Sequence, residues 1–173
     1  MTGTKAQRRI DWVAVEGFAS QHITRVLGLA GFTERRYVLT RRFAKVLYPR
    51  SKWPISIEYR ASINHHLKML DAAPPEVRPN IERTIRIEFK KAVTQLVEWM
   101  RSPVWIMVRN APPAPEVVVE FDPITFDWAS RTGGARGDSI VSLVSWMLGI
   151  RPGQAAYRIM RACGREELPR VSG

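Results

Sequence analysis

Residues 126–164 read FDWASRTGGARGDSIVSLVSWMLGIRPGQAAYRIMRACG, a short strand, a glycine-rich turn and two helices in succession. Gly133, Gly134 and Gly137 supply a turn that can take positive φ and bring backbone close to a neighbour. Asp138 is placed to cap the helix that follows. Ile140, Leu143, Val144, Met147 and Leu148 then recur at helical spacing. Gly149 stops this helix, and Pro152 suits the first turn of the next. Ala155, Ala156, Ile159, Met160 and Cys163 form the buried stripe of the second helix, and Gly164 ends it.

Upstream, Val104–Val108 has the composition of a buried strand, and Asn110–Pro115 is a Pro-rich loop. Val117–Phe121 and Ile124–Trp128 read as a hairpin around Asp122–Pro123. The clearest helix is Ile81–Arg101, with Asn80 as its cap. Its stripe is Ile81, Ile85, Phe89, Ala92, Val93, Leu96, Val97 and Met100, with Arg83, Arg86, Lys90 and Lys91 off it. Ala73–Pro79 is a helix–helix turn, Ser56–Ala72 a further helix, and Trp53–Pro54 a bend, because proline cannot continue a helix. Asp11–Ala30 reads as one long helix capped by Asp11. Met1–Arg9 is a flexible basic leader and 166–173 a fraying tail.

Between the first two helices lies the basic segment Thr33–Lys52. Arg35, Arg36, Arg41, Arg42, Lys45, Arg50 and Lys52 alternate there with Tyr37, Phe43 and Tyr48. Cations that neutralise phosphates beside rings that stack on bases are what single-stranded DNA or RNA binding requires. Tyr37 and Tyr48 are the expected stacking residues; Phe43 is expected to pack inward. The whole chain carries 27 Lys/Arg against 16 Asp/Glu, a net charge of +11. Such an excess favours a polyanionic partner through counterion release. The excess lies toward the N-terminus: residues 1–60 carry 12 Lys/Arg against 4 acids.

The stretch from Phe126 to Gly164 resembles the end of the zinc-binding domain of bacterial DNA primases, and more closely the primase-like proteins of plasmids and phages. The likeness rests on the aromatic strand Phe126–Asp127–Trp128, the Gly137–Asp138 helix start, the Ser142–Leu143–Val144 helix and the Ala-rich helix after it. With the upstream hairpin it spans about 104–165. It implies a template-contacting accessory domain without the catalytic domain of that family. It also implies a zinc site, from which this chain departs. The turn Ser130–Gly137 holds no cysteine, and the chain has one Cys and three His (His22, His65, His66). A structural zinc site needs four such ligands at suitable spacing, so no metal or other cofactor is expected. Packing of Trp128 and Trp146 would take its place. Arg131 and Arg136, in the turn that carries zinc ligands in the family, are secondary phosphate-binding candidates.

No catalytic constellation is legible. There is no Gly-Lys-Ser/Thr phosphate loop and no Asp-x-Asp pair for two magnesium ions. Cys163 sits on an apolar face as an inert thiol. A lone cysteine suits a reducing cytoplasm. No secretory leader and no membrane span are expected. The expected fold is α+β and predominantly helical, with a basic helical lobe over 10–103 and a small primase-like hairpin and two-helix lobe over 104–165. The expected function is non-catalytic nucleic-acid binding in a replication, plasmid, phage or mobile-element system. Two alternatives are a small subunit of a larger ribonucleoprotein, such as a CRISPR-type effector, and a protein-binding regulator that mimics a primase domain.

Overall fold

The computed structural model describes residues 9–32, 35–54, 57–109 and 116–171; within them, the side chains at 35, 36, 50, 57–61, 63, 64 and 93 are outside the description. The protein is mixed α+β. It divides into two units, Leu39–Pro103 and the remainder, Met1–Val38 with Val104–Gly173. The helical lobe expected over 10–103 is therefore split. Its first helices carry Val15, Ala19, Val26 and Leu27, which belong to the same hydrophobic core as Leu143, Val144, Ala155 and Ile159.

In the larger unit, helix α1 (Trp12–Gln21) is capped by Asp11, whose carboxylate accepts from the Ala14 N–H at 3.0 Å. Helix α2 (Ile23–Leu29) follows at once. The single helix expected over 11–30 is interrupted at His22, where φ is −119° and ψ 32°. There the His22 N–H bonds three residues back, to Ala19 O at 3.2 Å. The His22 ring, through Nδ1, also lies 3.1 Å from the Phe18 carbonyl. Strand β1 (Arg35–Thr40) comes next, and after the second unit the chain resumes in β2 (Pro103–Arg109). Strands β3 (Val117–Phe121), β4 (Trp128–Ser130) and β5 (Arg136–Gly137) complete a sheet of order β1-β2-β3-β4-β5. The β2/β3 pair is antiparallel from Trp105 opposite Phe121 to Arg109 opposite Val117; β4 then sets Phe121 opposite Trp128.

The second strand of the expected 117–128 hairpin starts late. Asp122 is fully buried, and its Oδ1 accepts from the N–H groups of Ile124 (2.9 Å) and Thr125 (3.2 Å). That wraps Pro123–Asp127 into a turn, with Phe126 at φ +65°, so pairing begins only at Trp128. The tail expected to fray is also tied down over its described part. Ile10 bridges Arg170, and Val171 N–H donates to Arg9 O at 3.0 Å.

Helix α5 (Ile140–Leu148) is capped by Ser139, one residue past the expected Asp138. Ser139 and Ser142 form a reciprocal capping box. Gly149 ends α5 in the left-handed region at φ +63°. Helix α6 (Pro152–Ala162) opens on proline and ends at Cys163, which is only half-buried. Its buried Ala155, Ala156, Ile159 and Met160 face the core. Burying a large side chain such as Ile159 or Met160 contributes roughly 1.5–3 kcal/mol, and an alanine methyl about 0.8 kcal/mol.

The second unit begins with two short 3-10 turns, Arg41–Phe43 and Arg50–Lys52. They lead to a hairpin of α3 (Ile57–Ala72) and α4 (Arg78–Arg101). Helix α4 starts two residues before the expected Asn80 cap, because Pro79 fits its first turn, where no N–H is needed. Phe89, expected on the buried stripe, is exposed. Helix α3 and the turn at Arg41–Phe43 pack against α4 and leave Phe89 uncovered.

Candidate nucleic-acid interface

Trp99, near the C-terminal end of α4, organises the segment from 41 to 53. The Tyr48 ring meets it edge-on at 5.0 Å, and the Trp53 ring lies 6.1 Å away at 53°. The Arg41 guanidinium sits 5.3 Å from the Trp99 centroid and 5.5 Å from that of Tyr48. The Arg41 N–H also donates to Ser102 O at 2.9 Å. Trp53 is fixed a second way, its indole N–H donating to Tyr48 O at 3.0 Å. Two 3-10 turns, too short to bury a stripe of their own, are thus held by rings against a long helix.

Outside this anchor lies a groove of 620 Å³ lined by Arg42, Phe43, Lys45, Tyr48, Pro49 and Trp53. Phe43 is 53% exposed. The Arg42 guanidinium lies 5.7 Å from the Phe43 ring centre, in cation–π range. Among the described residues no carboxylate pairs with Arg42, Lys45 or Lys52. Residues 39–103 carry 13 Lys/Arg against 6 Asp/Glu, so +7 of the net +11 falls on this unit.

The structure sorts the sequence-predicted residues. Arg42, Lys45 and Tyr48 are brought together around the groove, and Lys52 is exposed close by in sequence. Tyr37 is exposed on β1. The side chains of Arg35, Arg36 and Arg50 lie outside the described residues. Arg41 is corrected. It is only 8% exposed, and its charge is used on the Trp99 and Tyr48 faces. Arg131 is engaged by an ion pair. Its Nε donates to Glu120 Oε1 at 2.8 Å. Glu120 is fully buried while the Arg131 side chain is 40% exposed. A buried carboxylate needs its countercharge, and Arg131 supplies it. Arg136 is exposed on the two-residue β5.

Two aromatic lining residues escape sequence reasoning, which turns Phe43 inward and gives Trp53 only to a bend. The signal that could find them is the recurrence of rings every five residues, Phe43, Tyr48 and Trp53, through a cationic segment.

Elsewhere, Glu16 on α1 reaches the start of α5, accepting from the N–H groups of Ile140 and, at 3.3 Å, Val141. Burial raises its carboxyl above the ordinary value, those two hydrogen bonds oppose the rise, and Asp138 adds to it. Burial likewise pushes the Cys163 thiol up, against the Arg25 charge. The turn that would carry zinc ligands by the primase resemblance holds Ser, Arg, Thr, Gly and Ala in this chain. In the turn after β4, Ser130 Oγ bonds back to the Thr132 backbone. Among the described residues no three His, Cys, Asp or Glu converge. Trp128 and Trp146 stack at 5.0 Å and 27° beside this turn. Among the described residues no helix is long and apolar enough to cross a membrane. No protein-family model, curated protein or solved structure matches the chain.

Proposed function

We propose that this chain is a non-catalytic nucleic-acid-binding protein that holds the phosphate backbone through the cationic surface of residues 39–103. The observation that carries this reading is the groove beside Trp99. There Arg42 and Lys45, with no carboxylate partner among the described residues, line one groove with the exposed Phe43 ring and the half-buried Tyr48 and Trp53 rings. Each such cation gains most from a partner that supplies negative charge at regular spacing, because it displaces condensed counterions. The resemblance of residues 126–164 to a primase zinc-binding domain supports a replication, plasmid or phage setting.

The test is fluorescence anisotropy of labelled oligonucleotides across a salt series. Wild type is expected to bind with log Kd rising linearly with log salt. The triple variant Arg42→Glu/Lys45→Glu/Lys52→Glu is expected to weaken binding at least about 10-fold. It should also flatten the slope by roughly 0.7–0.9 for each phosphate that the variant no longer neutralises. No binding by wild type at low salt, or full binding by a folded variant, would overturn the proposal.

A further inference from the structure

We propose that the groove of residues 42–53 takes an unpaired base, so that the ligand is single-stranded DNA or RNA rather than duplex. The inference rests on the nucleic-acid reading above and narrows it. In a duplex both faces of every base are covered by its neighbours, and a protein meets only edges and phosphates. A ring that is to stack on a base needs that base unpaired or extruded. The groove has such a ring in Phe43, more than half exposed at its rim. Burying a phenylalanine is the ordinary outcome, yet the neighbours Ala44 and Leu47 are buried while Phe43 is not.

A second aromatic lining residue, Trp53, is held in place by contacts of its own. Its indole N–H is already committed to Tyr48 O at 3.0 Å, and its ring packs near Trp99. A preformed wall spares the ordering cost that weakens most binding. Arg42 adds a planar cation beside the Phe43 ring, the arrangement in which a guanidinium both stacks and meets a phosphate. At 620 Å³ the groove falls within the roughly 300–1,000 Å³ of small-ligand sites, enough for a nucleotide. An acidic peptide's charges would be served by the cations alone, whereas a strand of nucleic acid uses the cations through its phosphates and the exposed ring through its bases.

The experiment compares four probes by anisotropy at one salt concentration. They are oligo-dT and oligo-rU of about 12 nucleotides, within the span of compact single-strand sites, a duplex of the same length, and an oligo-dT backbone lacking its bases. Unlabelled heparin serves as a competitor with charge and no bases. Wild type is expected to prefer a strand with bases over the abasic strand and the duplex, and the dT/rU ratio names the sugar. Phe43→Ala, at an exposed position, should weaken the based strand about 5- to 100-fold and leave the abasic strand unchanged. Trp53→Phe keeps a ring in place; it should retain binding but lose the quenching of tryptophan fluorescence that the strand produces. Equal binding of based, abasic and duplex probes overturns this inference and leaves the phosphate reading standing, as does an ineffective Phe43→Ala. Heparin binding with none of the four probes bound overturns both.

Discussion

Glu16 shows how one side chain can tie elements distant in sequence. Its carboxylate accepts from the first two N–H groups of α5, more than 120 residues away. Those groups have no partner within their own helix. Burial makes the charged form costly, and the proton is therefore held more tightly in the fold than in the unfolded chain. The stabilisation from this carboxyl is fully present below the ordinary value near 4.5 and is lost as pH rises through the raised one. Glu16→Gln should therefore flatten the fall in unfolding free energy just above that value, followed by urea denaturation from about pH 4 to 7. An unchanged pH slope would show that Glu16 is not its source. Arg41 and Arg131 teach a related lesson. Both read in sequence as free cations for phosphate, yet one is packed on rings and the other neutralises a buried carboxylate.

Among the glycines whose surroundings are described, Gly137, at the corner from β5 into α5, has the least room. A Cβ on Gly137 would lie 2.5 Å from both Ser142 Oγ and Trp128 Nε1, and these two atoms are themselves bonded at 2.8 Å. Ser142 cannot move away freely, because it closes the capping box of α5. Trp128 is buried and stacked on Trp146. Gly137→Ala should destabilise by about 1–3 kcal/mol through overpacking. Gly17→Ala, in α1 with nothing within 4 Å, should be neutral or stabilising by about 0.5–1 kcal/mol. Parallel denaturant melts decide this; equal effects would show that the corner relaxes at no cost. The sequence marks this turn as glycine-rich but not which glycine is obligatory, since that depends on a tryptophan nine residues away.

For the whole molecule, the decisive feature is an excursion. Strands β1 and β2 are neighbours in one sheet, yet the second unit lies between them in the chain. Among the described residues, the buried core cluster of the larger unit draws none from 39–103. Replacing residues 41–102 by Asn-Gly, a dipeptide suited to a two-residue hairpin turn, should leave a cooperatively folding sheet unit with less helical signal. That unit should no longer bind oligonucleotides. Circular dichroism melts and anisotropy test the two halves. A molten product would show that the second unit supports the core, and retained binding would place the phosphate surface elsewhere.

Local signals were enough for much of this protein. Asp11, Gly149 and Pro152 announce helix ends because capping and termination act within a few residues. The helices over 57–72 and 78–101, the strands after 103 and the basic aromatic segment were likewise legible from spacing and composition. Tertiary structure alone decided what depends on distant partners. It grouped Trp12–Leu29 with residues 104–173, tied the tail to Ile10, and broke the first helix at His22. It also chose among the cations. A cation's surroundings depend on which ring or carboxylate the fold brings beside it: Arg41 lies on the Tyr48 and Trp99 rings, Arg131 pairs with Glu120, and Arg42 and Lys45 line the groove with Phe43 and Trp53.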